Sequence, residues 1–280
     1  MYVDTHCHLN FHAFEGGTEK ILTRAAAAGV TCIIIPGTDL VTSQKALDIV
    51  HEFPQCYAAV GIHPHHVLSY IDTPGALEKD ISTLTQMLAQ DNVVAIGEIG
   101  LDRHVYTVSK YGPEVHVSPE YFSLQLQAFR MQIQLAIQSH KSVVIHNREC
   151  SDDILQFFAD MSPSDLTLLQ NRVVLHCCES DDRLLELAVR QKFFIGVDGD
   201  VTFDILKQDF IRRVPLERLV LETDAPYILP EPVRSQKRQP NHPAFIPLIA
   251  AKVADLMGVS IEEVARQTTT NAYELYHLPQ

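Results

Sequence analysis

The chain has 280 residues, 46% hydrophobic and 20% charged, with a formal net charge of −13. That profile excludes disordered and fibrous classes and fits a folded protein with a large core. The acidic balance excludes a long basic face of the kind that grips nucleic acid by its phosphates, so any such attraction must come from bound metal ions and a few Arg and Lys.

In chain order, short Val- and Ile-rich runs alternate with amphipathic segments. A strand is predicted at 2–4, then a helix at 18–28 that ends on Gly29. A strand at 32–35 precedes a helix at 42–53 that stops before Pro54. A strand at 57–61 leads to a helix at 74–90, and a strand at 93–97 to a helix at 119–140. Ser118 caps that last helix and Pro119 takes its first position, where a missing N–H costs nothing. Strands at 142–145, 172–175 and 193–197 alternate with helices at 151–161, 181–191 and 202–213. A strand at 219–222 is followed by helices at 243–257 and 261–276, the latter opened by a Ser260/Glu263 capping box.

The strands lack polar alternation, as strands buried on both faces do. Eight of them, each followed by a helix, predict an α/β fold, a (β/α)8 TIM-type barrel, rather than an open doubly wound sheet. No linker or composition break divides residues 1–280, so one domain is expected.

No apolar run reaches the roughly 18–20 residues of a membrane span, and residues 1–8 do not read as a signal peptide. Cys7, Cys32, Cys56, Cys150, Cys177 and Cys178 are scattered without a Cys-x-x-Cys pair. They are expected to be free thiols in a reducing, cytoplasmic setting rather than disulfides or a structural zinc site. Cys177 and Cys178 in particular are expected to be packed thiols.

Barrel chemistry sits at the carboxyl ends of the strands. Strand one is followed by His6 and His8, and strand three by His63, His65 and His66. Strand four ends in Glu98, strand five in His146 and Arg148, strand six in His176, and strand eight in Glu222 and Asp224. Seven of the 14 histidines thus gather at one mouth, which scatter would not produce. His6 and His8 share a face because strand side chains alternate, and paired neutral imidazoles suit a divalent transition metal. Asp4 has the same parity and is a candidate for supporting those rings. Of Glu222 and Asp224, one can bind metal while the other orients a ligand; a purely structural Glu222 is the alternative. Four histidines and two acids exceed a three-ligand catalytic zinc site, so two ions are expected, with Glu98 bridging.

These residues also stand in motifs. Asp4-Thr-His-Cys-His8-Leu, Gly61-Ile-His-Pro-His65, Ile96-Gly-Glu-Ile-Gly-Leu-Asp102, Ile145-His-Asn-Arg-Glu149, Leu221-Glu-Thr-Asp-Ala-Pro-Tyr227, Pro240-Asn-His-Pro243 and Thr270-Asn-Ala272 run in order along the chain. Together they resemble the TatD family of metal-dependent hydrolases. The resemblance implies an amidohydrolase-like barrel, a dinuclear divalent-metal site (Mg, Mn or Zn) and deoxyribonuclease activity on strand ends. It implies that His6 and His8 hold one ion and His146 and His176 the other. Glu98 would bridge, and Asp224 would bind metal and serve as the base that deprotonates an activated water. His63, Arg148 and Arg103 would meet the substrate phosphate, with His65 and Glu222 beside them.

Three departures from the family pattern are visible. Arg103 and His104 stand where an aromatic residue is usual, residues 105–118 form an extra stretch over the site, and His176 is followed by Cys-Cys-Glu-Ser. The cluster Arg234, Lys237, Arg238 is the best local basic patch for a nucleic-acid end. Strand four offers no lysine for a carbamylated bridge. The rival functions are a metal-dependent deacylase or amidohydrolase, such as one acting on aminoacyl-tRNA, and a non-catalytic metal-binding barrel. A monomer with no membrane partner is expected.

Overall fold

The computed structural model describes residues 1–106, 116–236 and 240–279. Eight parallel strands pair in sequence order: β1 (Tyr2–Asp4), β2 (Val30–Pro36), β3 (Cys56–Val60), β4 (Val93–Asp102), β5 (Ser142–Arg148), β6 (Val173–Leu175), β7 (Phe194–Val197) and β8 (Leu219–Leu221). Backbone hydrogen bonds join the last strand to the first. Thr5 N–H donates to Leu221 C=O (3.0 Å), Asp224 N–H to His6 C=O (2.9 Å) and His8 N–H to Ala225 C=O (2.8 Å).

The helices are α1 (Thr18–Ala27), α2 (Leu40–Glu52), α3 (Ala76–Met87), α4 (Pro119–Ser139), α5 (Ser151–Ala159), α6 (Pro163–Leu169), α7 (Asp182–Gln191), α8 (Ile205–Ile211), α9 (Val233–Gln236), α10 (Ile246–Met257) and α11 (Ile261–Tyr276). Among the described residues, no single helix is long and apolar enough to cross a membrane.

Strand parity divides the core in two. Ile33, Ile35, Val60, Ile96, Val143, Ile145, Ile195 and Leu221 pack outward in the larger core that includes helix residues such as Leu47, Phe129 and Ile249. Val3, Ile34, Ala59, Ala95, Val144, Val174, Phe194 and Val220 form a second cluster, which Ala272, Leu275 and Tyr276 of α11 complete. Ser142, at the first residue of β5, donates its hydroxyl to the Leu275 carbonyl. The final helix thus closes the amino-terminal end of the barrel and leaves the carboxyl ends for chemistry. One step of strand period beyond Val144, Val174 and Val220 stand His146, His176 and Glu222.

The main difference from the sequence reading is β4, expected to end at Gly97 but running to Asp102. Its pairing with β5 passes from Ile96–Val143 to Ile99–Ile145, three steps against two, so a bulge lies between. Beyond it Glu98, Gly100 and Asp102 share parity. Only glycine fits the middle position: Gly100 has φ +148°, and a Cβ there would lie 1.9 Å from the His146 carbonyl oxygen. Elsewhere the expected helix at 151–161 ends sooner and is followed by α6, which Ser162 caps with Pro163 at its start. The expected helix at 202–213 shrinks to α8 because Asp204 caps it by accepting the Leu206 N–H at 2.8 Å.

Asn271 fastens the closing helix. Its buried amide donates to the Leu216 and Leu219 carbonyls at 2.8 and 2.7 Å. Replacing it with alanine leaves both acceptors unpaired, and Asn271→Ala is expected to cost about 2–4 kcal/mol in chemical denaturation. Thr270→Ala, one residue away on the exposed side, should stay within about 0.5 kcal/mol.

Candidate metal centre

The carboxyl ends of the strands bring the expected donors together. His6 Nε2 and His8 Nε2 lie 3.1 Å apart. Glu98 Oε2 is 3.4 Å from the first and 3.6 Å from the second. Asp224 Oδ1 is 3.6 and 3.4 Å from the same two nitrogens. These are the spacings of neighbouring donors around one cation with bonds of about 2.0–2.2 Å. Without a cation, two imidazole nitrogens would face each other among carboxylates in a buried place.

The other oxygen of Glu98 faces a different set. Oε1 is 3.0 Å from His146 Nδ1, 3.5 Å from His63 Nε2 and 3.9 Å from His176 Nε2. His176 Nε2 is also 3.8 Å from Asp224 Oδ1. One buried carboxylate therefore stands between two groups of donors.

The charges agree with a site built for cations. Burial alone would raise Glu98, but His63, His146 and His6 around it hold its carboxyl well below the usual range. Asp224 is likewise lowered: burial opposes the charge, and His8, His176 and His6 outweigh it. Burial opposes a charged His146, yet Asp102 and Glu98 push it up to about 9. His176 is pushed up to about 10 against burial by Glu222, Asp224 and Glu98. The acids stay ionised, and protons on two rings take the place that a metal would fill.

Supporting partners sort the rings into roles. Glu222 Oε1 sits at ion-pair distance, 3.0 Å, from His176 Nδ1 and accepts the Cys177 N–H at 2.6 Å. A carboxylate at that distance favours a proton on Nδ1 and leaves His176 Nε2 for the cluster. Glu222 is fully buried and faces His176 rather than the open mouth. His63 is different. Its Nδ1 accepts the His65 N–H at 3.1 Å, so in the neutral ring the proton is on Nε2. Burial and the neighbouring His146 lower it to about 3, so it stays neutral and presents an N–H to the centre. It can donate to a bound oxygen but offers no lone pair at Nε2.

Asp102 is a site residue that the sequence reading passed over. Its Oδ2 is 3.0 Å from His146 Nε2 and 2.8 Å from His65 Nε2, and it accepts the Tyr106 hydroxyl at 2.8 Å. The bulge in β4 sets Glu98 and Asp102 on either side of the His146 ring. The only available signal was the acid that ends Gly-Leu-Asp102. Arg148 Nη1 in turn donates to Tyr106 Oη at 2.9 Å.

Other expectations change. Arg103 is not aimed at the centre: its guanidinium is held by both Asp153 oxygens, at 2.8 and 2.9 Å, and lies over the Phe122 ring. His65 lies at the rim on Asp102, its side chain 40% exposed. Asp4 supports the β1–β8 junction rather than a ring, accepting the Thr223 N–H (2.9 Å) and hydroxyl (2.6 Å). Asn241, also missed as a support, donates to the Thr223 and Tyr227 carbonyls, both at 2.7 Å, and so braces Asp224 from behind. Arg234 lies over Phe203. Lys237, Arg238 and most of the 105–118 stretch lie outside the described residues.

Residues 3–277 match the TatD-related DNase family. The chain belongs to that family. It is 30% identical over 280 residues to YabD of Bacillus subtilis strain 168, an uncharacterized metal-dependent hydrolase, covering 99% of this chain and 100% of that one. It is 31% identical to the 3'-5' ssDNA/RNA exonuclease TatD of Erwinia tasmaniensis, covering 98% and 99% of the two chains. Among solved structures, the TatD homologue YjjV of Escherichia coli K12 superposes with a TM-score of 0.81 at 30% identity, covering 99% and 98%. This TatD chain is a metal-dependent hydrolase on a TIM barrel.

Gly196 tests the orienting role of Glu222. A Cβ added at Gly196 would lie 2.4 Å from Glu222 Oε1, and the side chain would have to give way. Gly196→Ala is expected to weaken metal binding about 10–100-fold. Metal titration of chelator-treated protein would measure this, with circular dichroism checking that the fold is kept.

Proposed function

We propose that this chain hydrolyses phosphodiester bonds at nucleic-acid ends, using two divalent cations that share Glu98. The observation that carries the reading is the division of the Glu98 oxygens between two donor groups. The relative named as a 3'-5' ssDNA/RNA exonuclease, similar over its full length, supports the substrate class.

His6, His8, Asp224 and Glu98 Oε2 would hold one ion; Glu98 Oε1, His146 and His176 would hold the other. Bound there, divalent cations would polarise a phosphoryl oxygen and lower the pKa of water. The nitrogen-rich donor set suits Zn or Mn, while Mg rests on the family resemblance. Asp224, whose carboxyl its histidines hold below the usual range, would take the proton of the attacking water. His63 would donate a hydrogen bond from its Nε2–H to a phosphate oxygen, keeping the proton and so staying neutral. Arg148, held at the rim by Tyr106, meets a further phosphate oxygen, a role that suits the guanidinium fork.

We read residues 1–280 as one domain that acts as a monomer, since all the named donors come from one chain. The six cysteines are all free, in keeping with a reducing compartment such as the cytoplasm.

The test is hydrolysis of single-stranded DNA, 3′-end-labelled duplex and aminoacyl-tRNA by chelator-treated protein with Mg, Mn or Zn restored. Single-stranded DNA should be cut, and aminoacyl-tRNA should not. Asp224→Asn and Glu98→Ala should each lower kcat about 100-fold or more. Full nuclease activity in either variant would overturn the reading. Tyr106→Phe removes the hydroxyl that holds Arg148, and it should raise KM for DNA several-fold, by about 1 kcal/mol of binding, while kcat changes little.

A further inference from the structure

Cys177, Asp198 and Asp200 meet beside the centre already described and take no part in it. Cys177 directly follows His176 at the end of β6, with φ +45°. Asp198 follows β7, and Asp200 lies in the short turn Gly199–Thr202. The Cys177 sulfur and one oxygen from each carboxylate all lie within 4.8 Å of one another.

Two features set this cluster apart from a solvated acidic loop. The first is an unmet demand for partners. Asp198 is fully buried; one of its oxygens accepts the Asp200 N–H at 2.8 Å, and Oδ2 has no partner. Asp200 pairs with Lys207 Nζ through Oδ2, at 3.2 Å, and its buried Oδ1 also has none. The second is the charge balance. Lys207 is buried as well and donates to the Cys178 carbonyl, so one ammonium faces two carboxylates. Burial and the neighbouring Asp198 raise the Asp200 carboxyl well above its usual range, so without a cation a proton must balance the second acid.

We infer that Cys177, Asp198 and Asp200 form a further cation site, separate from the Glu98 centre, for a divalent ion that accepts sulfur, such as Zn²⁺. A divalent ion bound by the Cys177 thiolate and the two carboxylates, with Lys207 beside it, brings the cluster to neutrality. It also satisfies the two unpartnered oxygens. Thiolate with carboxylate is a donor set that zinc accepts. The turn is built tightly: a Cβ at Gly199 would lie 2.2 Å from the Ile228 carbonyl oxygen, so the backbone between the two acids is pressed against the β8 loop. The two neighbouring cysteines part ways. Cys178 is the packed thiol the sequence predicts, its S–H donating to the Glu179 carbonyl at 3.4 Å, whereas Cys177 faces carboxylates. Because the Cys177 N–H holds Glu222, an ion here would also stiffen the backbone that presents His176.

The site differs from the Glu98 centre in one readable way, since that centre has no sulfur donor. Cobalt titration of the chelator-treated full-length protein separates the two and does not depend on the substrate. The expected result is a near-ultraviolet thiolate-to-cobalt charge-transfer band that saturates with one equivalent. Cys177→Ser should lose the band and that equivalent while still binding cobalt at the histidine-rich centre, which shows that the variant is folded. Cys178→Ser should keep both. Cobalt-saturated protein without the band, or a band that survives Cys177→Ser, would overturn the inference. In that case a proton shared between Asp198 and Asp200 balances the cluster.

Discussion

Glu98 is a carboxylate at 4% exposure, and a buried carboxylate needs positive charge or hydrogen-bond donors within reach. The imidazoles of His6, His8, His63, His146 and His176 all approach it, and each brings its own requirements. His176 needs an acid behind it, met by Glu222; His146 needs one beyond it, met by Asp102. The spread of acids outward from Glu98 follows from supplying one buried anion with rings and those rings with further anions. Such a network is at rest only when cations or protons occupy its middle, so metal binding is part of its folded chemistry as well as its catalysis.

Among the described residues, three of the eight non-glycine positions with positive φ fall in the same place. Glu149, Cys177 and Asp224 all have positive φ, at 56°, 45° and 50°, without being glycine. Each lies at or within three residues of a ring or acid of the centre, where a strand must turn sharply and still present its side chain inward. Conformations of this kind cost about 1–3 kcal/mol each and persist where the surroundings over-determine them. Here the braces are visible. Glu179 accepts the Glu149 N–H, Glu222 accepts the Cys177 N–H, and Asp224 donates its own N–H to His6.

Much of this was legible in the sequence, for a reason that can be named. A strand of period two that ends at a barrel mouth places its last inward residue at the site, so His146, His176 and Asp224 could be found from the apolar runs before them. His6 and His8 followed from their spacing. What could not be read were relations across the chain. β4 was expected to stop at Gly97, but it runs on past two close glycines, Gly97 and Gly100. In fact they make room for a bulge and for the His146 backbone, and Asp102 was lost with the strand's second half. Arg103 was expected at a phosphate because nothing local shows that Asp153, 50 residues on, holds it. The tautomer of His63 depends on the neighbouring His65 N–H and on burial, which a linear pattern does not carry.

The rim divides by side. Around β4 and β5, Asp102 gathers His65, Tyr106 and, through Tyr106, Arg148, a group rich in donors and suited to an anionic substrate. Around β6 and β7, Cys177, Asp198 and Asp200 gather negative charge with Lys207 as the only ammonium described among them. A phosphate approaching the centre meets attraction on the first side and repulsion on the second unless a cation neutralises it. An anionic strand of the kind proposed above would be oriented by contrast across the mouth rather than by a basic face. On the proposed function, this is how a chain with net charge −13 would direct a polyanion to its centre.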